Sequence, residues 1–88
     1  GLWQKAYDFA FSTRNDRNPL SRTGFYHFHL VVLSKYLKKD KESSIFMKEG
    51  RELLRKSKNL KNIPPWMHNT SERVCEMAET KIKEYEII

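Results

Sequence analysis

Four cations of this chain, Lys48, Arg51, Arg55 and Lys58, recur at steps of 3, 4 and 3 residues. On a helix that spacing aligns them as one outward ridge. A row of cations at helical spacing can meet successive phosphates, the contact that dominates the affinity of nucleic-acid-binding surfaces. Lys35, Lys38, Lys39 and Lys41, just upstream, widen the patch, and Arg14, Arg17 and Arg22 cluster in a polar stretch before that. A mobile arginine arm of this kind could enter a groove.

Other chemistry is thin. His27-x-His29 would present two metal ligands together on a strand, where i and i+2 share a face, but on a helix the two positions diverge by roughly 200°. No Cys/Asp/Glu cluster stands near them in sequence to complete a coordination shell. Cys75, beside Val74, has no adjacent histidine and reads as a buried thiol rather than a nucleophile. Glu72 and Glu76 have the spacing of a solvated helix face, and the three glycines are too scattered for a phosphate loop. The expectation is a non-enzymatic binding module with no cofactor, no metal and no small-molecule substrate.

The charge is unevenly placed. Residues 35–61 carry ten Lys/Arg against four Asp/Glu, whereas residues 62–88 carry three against five. A basic block followed by a mildly acidic segment makes a directed field that draws a polyanion to one side of a small domain. With 88 residues the chain has room for one modest core. Its two Trp, five Phe and four Tyr are many for that length, so a few large rings are expected to build the core. Three Gly and three Pro argue against a turn-rich all-β fold. The longest apolar run, Leu30 to Leu33, is far short of the roughly 20 residues a membrane span needs. A single cysteine favours a reducing, intracellular compartment, and Gly1 in place of an initiator Met is expected of an excised fragment. Asn69-Thr70-Ser71 fits a glycosylation pattern but reads better as a helix start.

The elements that must position the cations follow from apolar periodicity. A single all-α domain spanning residues 1–88 is expected, with helices at 2–12, 24–38, 43–59 and 70–87. The first helix would be an addition to a three-helix unit at 20–87. Trp3, Ala6, Tyr7 and Ala10 share one face of the first helix. Residues 12–23, with Asn15, Asp16, Asn18-Pro19 and Ser21, read as loop. Residues 24–38 are apolar nearly all round, as in a buried central helix capped by Thr23 or Ser21. Alternation of Tyr26, Phe28, Leu30 and Val32 competes for a strand, and length favours the helix. In 43–59 the inward face is Phe46, Gly50, Leu53, Leu54 and Ser57, continuing to Leu60; Gly50 there requires close approach by a neighbour. Asn62 to Trp66 reads as a stiff connection, and Asn69 with Glu72 as a capping box. Val74, Ala78, Ile82 and Tyr85 make the last helix's apolar stripe. Phe28, Val32, Leu53, Leu54, Ala78 and Ile82 are expected in one core.

The stretch Arg73 to Tyr85 resembles the third helix of an HMG box, where an aromatic or apolar residue precedes an alanine by four and a tyrosine follows it by seven. Phe25 and Phe28 are similar to the aromatic pair that opens the family's first helix. The resemblance covers residues 20–87. It departs from the family at the end of the second helix, where Leu60 stands in place of a tryptophan, and at Pro64-Pro65. What it implies is an L-shaped domain that binds or bends DNA through the minor groove, in the nucleus.

Two functional expectations follow. The leading one is nucleic-acid binding, DNA ahead of RNA, through Lys48, Arg51, Arg55 and Lys58 with Lys38, Lys39, Lys41, Arg14, Arg17 and Arg22 in support. The rival is a protein-interaction domain with an aromatic-lined groove, in which the lysines serve solubility. Exposure of Trp3, Trp66 or Phe11 within a contiguous apolar patch would favour the rival. Attraction to anionic lipid is weaker, because the basic helix lacks a broad exposed apolar face.

Overall fold

A computed structural model describes residues 1–87, with side chains through Tyr85. The chain is all-α. Among the described residues the order is α1 (Leu2–Thr13), α2 (Pro19–Arg22), α3 (Phe25–Tyr36), α4 (Asp40–Ser57) and α5 (Pro65–Ile87), with no strand. The principal extents are 41 × 25 × 18 Å.

α3 is the axis of the fold. Its Phe28, Leu30 and Val31, which project in different directions from the helix, are all wholly buried, so neighbours cover α3 on more than one side. α1, α4 and α5 pack around it, contributing Tyr7 and Ala10, Phe46, Met47 and Leu54, and Val74, Cys75 and Ala78 respectively. Val32 and Ile82 pack on the margin of this core. Leu53 does not join it: the residue is half-exposed, facing a surface depression instead, while its neighbour Leu54 points inward. Leu60 is exposed as well, because α4 ends at Ser57 and the chain turns away.

Polar seams are made with small hydroxyls. Ser21 Oγ donates to Thr13 O at 2.7 Å, Ser43 Oγ to Val31 O at 3.2 Å, and Thr23 Oγ1 meets Ser71 Oγ at 2.5 Å, all on residues with almost no exposure. Each satisfies a buried polar atom that would otherwise carry a desolvation penalty.

Element boundaries show where local signals were misjudged. The stretch 12–23 is not all loop. Asn18 accepts from Ser21 N at 2.9 Å and Pro19 occupies the first helical position, so the same residues that form turns also start α2. Neither Thr23 nor Ser21 caps α3; Gly24 stands there with φ +82°, and the two hydroxyls serve the seams instead. α4 begins earlier than expected, at Asp40, after Lys38 reverses the chain in the left-handed region with φ 59°. α5 begins at Pro65, so Asn69 lies inside the helix and forms no capping box with Glu72. Proline is well tolerated at a first helical position because its missing N–H has no partner there to lose.

One close approach sets the angle between α3 and α4. A Cβ on Gly50 would fall 2.8 Å from Phe28 Cε1 and 3.0 Å from His27 Cβ, and one on Gly24 would fall 2.5 Å from Gly50 O. The inward glycine of α4 therefore has the neighbour its position demands.

Candidate interaction surfaces

The basic ridge forms as the spacing predicts, on the outer face of α4, with Lys48, Arg51, Arg55 and Lys58 all exposed. Its span from Lys48 to Lys58 is about 15 Å at 1.5 Å per residue. Its charge, however, is largely met by carboxylates. Arg51 Nη2 lies 3.3 Å from Glu79 Oε1 and Lys58 Nζ 3.1 Å from Glu72 Oε1, both across to α5. Arg55 is hydrogen-bonded to Glu52, which also lies 3.7 Å from Lys56. These contacts hold the Glu52 carboxyl below its usual range, chiefly through the Arg55 hydrogen bond. Of the four ridge cations, Lys48 alone has no ion pair among the described residues. Glu72 is thus not merely solvated; it faces the ridge.

The supporting cations scatter. Lys35 pairs with Asp40 at 3.4 Å, and the Lys39 ammonium sits 4.2 Å from the centre of the Tyr7 ring. Arg14 lies flat on Phe11, 3.6 Å from its centroid, and donates to Phe11 O. Lys38, Lys41, Arg17 and Arg22 are exposed. The upstream loop does approach the ridge at one place: Asn15 and Lys48 line a depression of about 680 Å³ that also holds His27, Glu49 and Glu52. Its two carboxylates offset the lysine.

The histidines part company as helix geometry requires. His27 is buried against α4, with Nε2 3.3 Å from Glu49 Oε2, and Nδ1 has no partner. Burial lowers its pKa, opposed by Glu49. His29 faces the other way, edge-on to Phe25 with ring centroids 4.6 Å apart, and burial lowers its pKa too. Among the described residues no group of three or more His, Cys, Asp or Glu could hold a metal ion. The Cys75 thiol is pushed up to about 11, mainly by burial and then by Glu79, to which it donates at 3.4 Å. Such a thiol is almost entirely protonated at neutral pH, the unreactive form.

A second surface is apolar. α1 and α5 both pack on α3, but their flanks stay apart and leave a groove of about 360 Å³ floored by α3. α1 supplies Trp3, Ala6, Phe9 and Ala10; α3 supplies Phe25, Tyr26, His29, Val32 and Leu33; α5 supplies Val74 and Met77. Phe9, Met77 and Trp3, which line it, remain 62%, 60% and 54% exposed. Trp3 is held at one end by stacking on Tyr36, with centroids 4.5 Å apart. Large apolar side chains standing together around a concave surface mark a binding site far more strongly than the same residues scattered singly.

Of the three aromatics expected to report on this question, Trp3 lies in the groove; Trp66 and Phe11 are exposed elsewhere. Phe9 and Met77 were not anticipated. The available signal was Phe9 itself, an apolar residue off the α1 stripe of Trp3, Ala6, Tyr7 and Ala10. That stripe splits in the fold: Tyr7 and Ala10 are buried while Trp3 and Ala6 face the groove.

No family model, no curated protein and no solved structure matches this chain.

Proposed function

We propose that this chain is a non-enzymatic protein-interaction module that receives a partner segment in the groove between α1, α3 and α5. The observation that carries the reading is the contiguous exposure of Trp3, Phe9 and Met77 over an apolar floor. α3 is a buried axis packed against α1, α2, α4 and α5, and the groove between α1 and α5 leaves Tyr26, His29 and Val32 only partly covered. A helix laid there would meet apolar residues from all three walls, the mode in which amphipathic helices enter hydrophobic grooves.

The test is selection of a displayed library of helix-forming peptides against the domain, with Phe9→Asp as the counter-screen. Phe9 is mostly exposed, so the variant is expected to fold, which circular dichroism checks. Peptides whose binding survives Arg51→Glu/Arg55→Glu but is lost in Phe9→Asp support the reading. Absence of any groove-dependent binder refutes it.

Nucleic-acid binding by the α4 ridge stands second. What favours it is the alignment of four exposed cations on one face, together with the resemblance to an HMG box. What weighs against it is that three of the four must exchange a carboxylate for a phosphate, which reduces the net electrostatic gain. Titration with duplex DNA and single-stranded RNA at two salt concentrations tests it.

A further inference from the structure

The outer face of α5 carries a stripe that neither the core nor the α4 ridge uses. Arg73, Glu76, Met77, Thr80, Lys81 and Glu84 follow each other at i, i+3, i+4, i+7, i+8 and i+11, the spacing of one continuous helix face. The first five line a single shallow surface, and Lys81 pairs with Glu84 at 3.0 Å. All are exposed except Lys81, which is half-buried, its ammonium 5.3 Å from the centre of the Tyr36 ring. Neither Arg73 nor Glu76 has an ion pair among the described residues. Glu72 and Glu79, the carboxylates that face α4, lie off this stripe.

Along the stripe the charges run plus, minus, plus, minus, and that order is self-complementary. In an antiparallel pair of identical helices, a two-fold axis sets opposite each other residues whose numbers share a constant sum. With the axis between Ala78 and Glu79, Arg73 faces the partner's Glu84, Glu76 faces the partner's Lys81, and Met77 faces the partner's Thr80. Symmetry makes each contact twice. Moving the axis to Met77 sets Arg73 against the partner's Lys81, and moving it to Thr80 sets Glu76 against the partner's Glu84. Both of those registers oppose like charges, and a parallel in-register pair opposes every charge to itself.

From this pattern we infer that the chain associates with a second copy of itself through α5, antiparallel about a two-fold axis between Ala78 and Glu79. Met77, 60% exposed, supplies the apolar contact by seating over the small side chain of the partner's Thr80. The cross-pairs fix the register, since charges across an interface give specificity more than affinity. The Lys81–Glu84 pair need not break, because it falls between the partner's Glu76 and the partner's Arg73 in a run of alternating sign. The net charge of +6 does not forbid the contact: residues 62–88 carry three Lys/Arg against five Asp/Glu, so the copies meet on their least basic segment. The stripe runs about 17 Å at 1.5 Å per residue, too short for the roughly 800 Å² per partner of a standard interface. A weak dimer follows, with a Kd on the order of 10–100 μM. Such a dimer goes beyond the groove reading and does not depend on it; Met77 is the residue the two surfaces share.

Sedimentation equilibrium reads the association, from about 5 μM to about 500 μM protein at about 0.15 M salt, where distant charges are screened. The wild-type chain is expected to pass from monomer to dimer across that range. Arg73→Glu sets like charges against the partner's Glu84 at two symmetric places and should weaken the dimer about tenfold. Adding Glu84→Arg restores opposite charges in this register alone, and the double variant should return to within about threefold of wild type. Both sites are exposed, so the variants are expected to fold, which circular dichroism checks. Phe9→Asp, which disables the groove, should leave the dimer unchanged. A chain that stays monomeric throughout overturns the dimer and leaves the groove reading standing. A dimer insensitive to Arg73→Glu, or one that Phe9→Asp dissolves, uses another face and overturns the assignment to α5. Loss in Arg73→Glu without rescue by Glu84→Arg overturns the register.

Discussion

Replacing Gly50 by alanine tests the packing of α3 against α4 with a single methyl group. In an exposed helix interior that change stabilises by about 1 kcal/mol, because alanine has the better helix propensity. Here the new Cβ would sit 2.8 Å from Phe28 Cε1 and 3.1 Å from Phe28 Cδ1. The Phe28 ring is wholly buried and rigid, so it cannot swing away as the end of a surface side chain would. Forcing a methyl group into a filled core costs about 1–3 kcal/mol. Set against the propensity gain, this leaves an expected net loss of up to about 2 kcal/mol.

Gly24→Ala should cost more, about 3 kcal/mol, for two additive reasons. Its φ of +82° strains any residue with a Cβ, and that Cβ would fall 2.5 Å from the carbonyl oxygen of Gly50, which is backbone and cannot rotate away. Both substitutions push the same two helices apart. Once one has opened the contact the other has less to displace, so the double variant should lose at least about 0.5 kcal/mol less than the sum. Urea denaturation followed by circular dichroism reads all three, and Gly50→Ala should lower the midpoint by up to about 1 M. A Gly50→Ala protein that is more stable than wild type would mean that α4 does not touch α3 at this point, and the reasoning would fail.

Other consequences can be measured on the same footing. Leu54→Ala should cost about 2–4 kcal/mol and Leu53→Ala distinctly less, about 1 kcal/mol, since Leu54 alone of the two belongs to the core; equal losses would contradict the assigned helix face. Burial depresses the pKa of His27 and His29 below the ordinary 6.5, so the unfolded chain binds protons that the folded one refuses. Stability should therefore be full above about pH 6.5 and fall as pH drops below it, by at most about 1.4 kcal/mol per pH unit per histidine. Replacing each histidine by Gln should flatten that slope between pH 6.5 and 5, and an unchanged slope would place its origin elsewhere. Cys75, with its thiol pushed up to about 11, should resist iodoacetamide at pH 8 until denaturant is added, as mass spectrometry would show. For the ridge, four phosphate contacts would give a log affinity against log salt slope near −3.6 on duplex DNA, and contact by Lys48 alone a slope near −0.9.

How much of this was legible depended on whether the signal was local. The 3.6-residue period placed α1, α3, α4 and most of α5, because burial on one face repeats within a single segment. Gly50 could be identified as a contact point from its inward position alone. The starts of α2 and α5 were obscured by a real degeneracy: Asn-Pro and Pro-Pro interrupt a helix when they fall inside one and initiate it when they fall at its first turn. Leu53 and Leu54 are adjacent, and periodicity of that coarseness could not say which pointed inward. The α1 stripe was read correctly as apolar, but only the packed neighbours decide which part of it is covered.

Charge was the least legible property, and the reason bears on function. Counting along the chain isolates residues 35–61 as strongly basic. In space α5 lies against that block and turns Glu72 and Glu79 onto Lys58 and Arg51, so acidic residues more than ten positions away cancel much of what the count reports. The same placement leaves Arg73 and Lys81 on α5's opposite flank, beside exposed Met77. Carboxylates stand there too, Glu76 on the same surface and Glu84 paired with Lys81 at 3.0 Å. Exposed ion pairs of the α4–α5 type add little stability, typically below about 1 kcal/mol each. Their larger effect is on the field: they mute the ridge that stood out in the sequence.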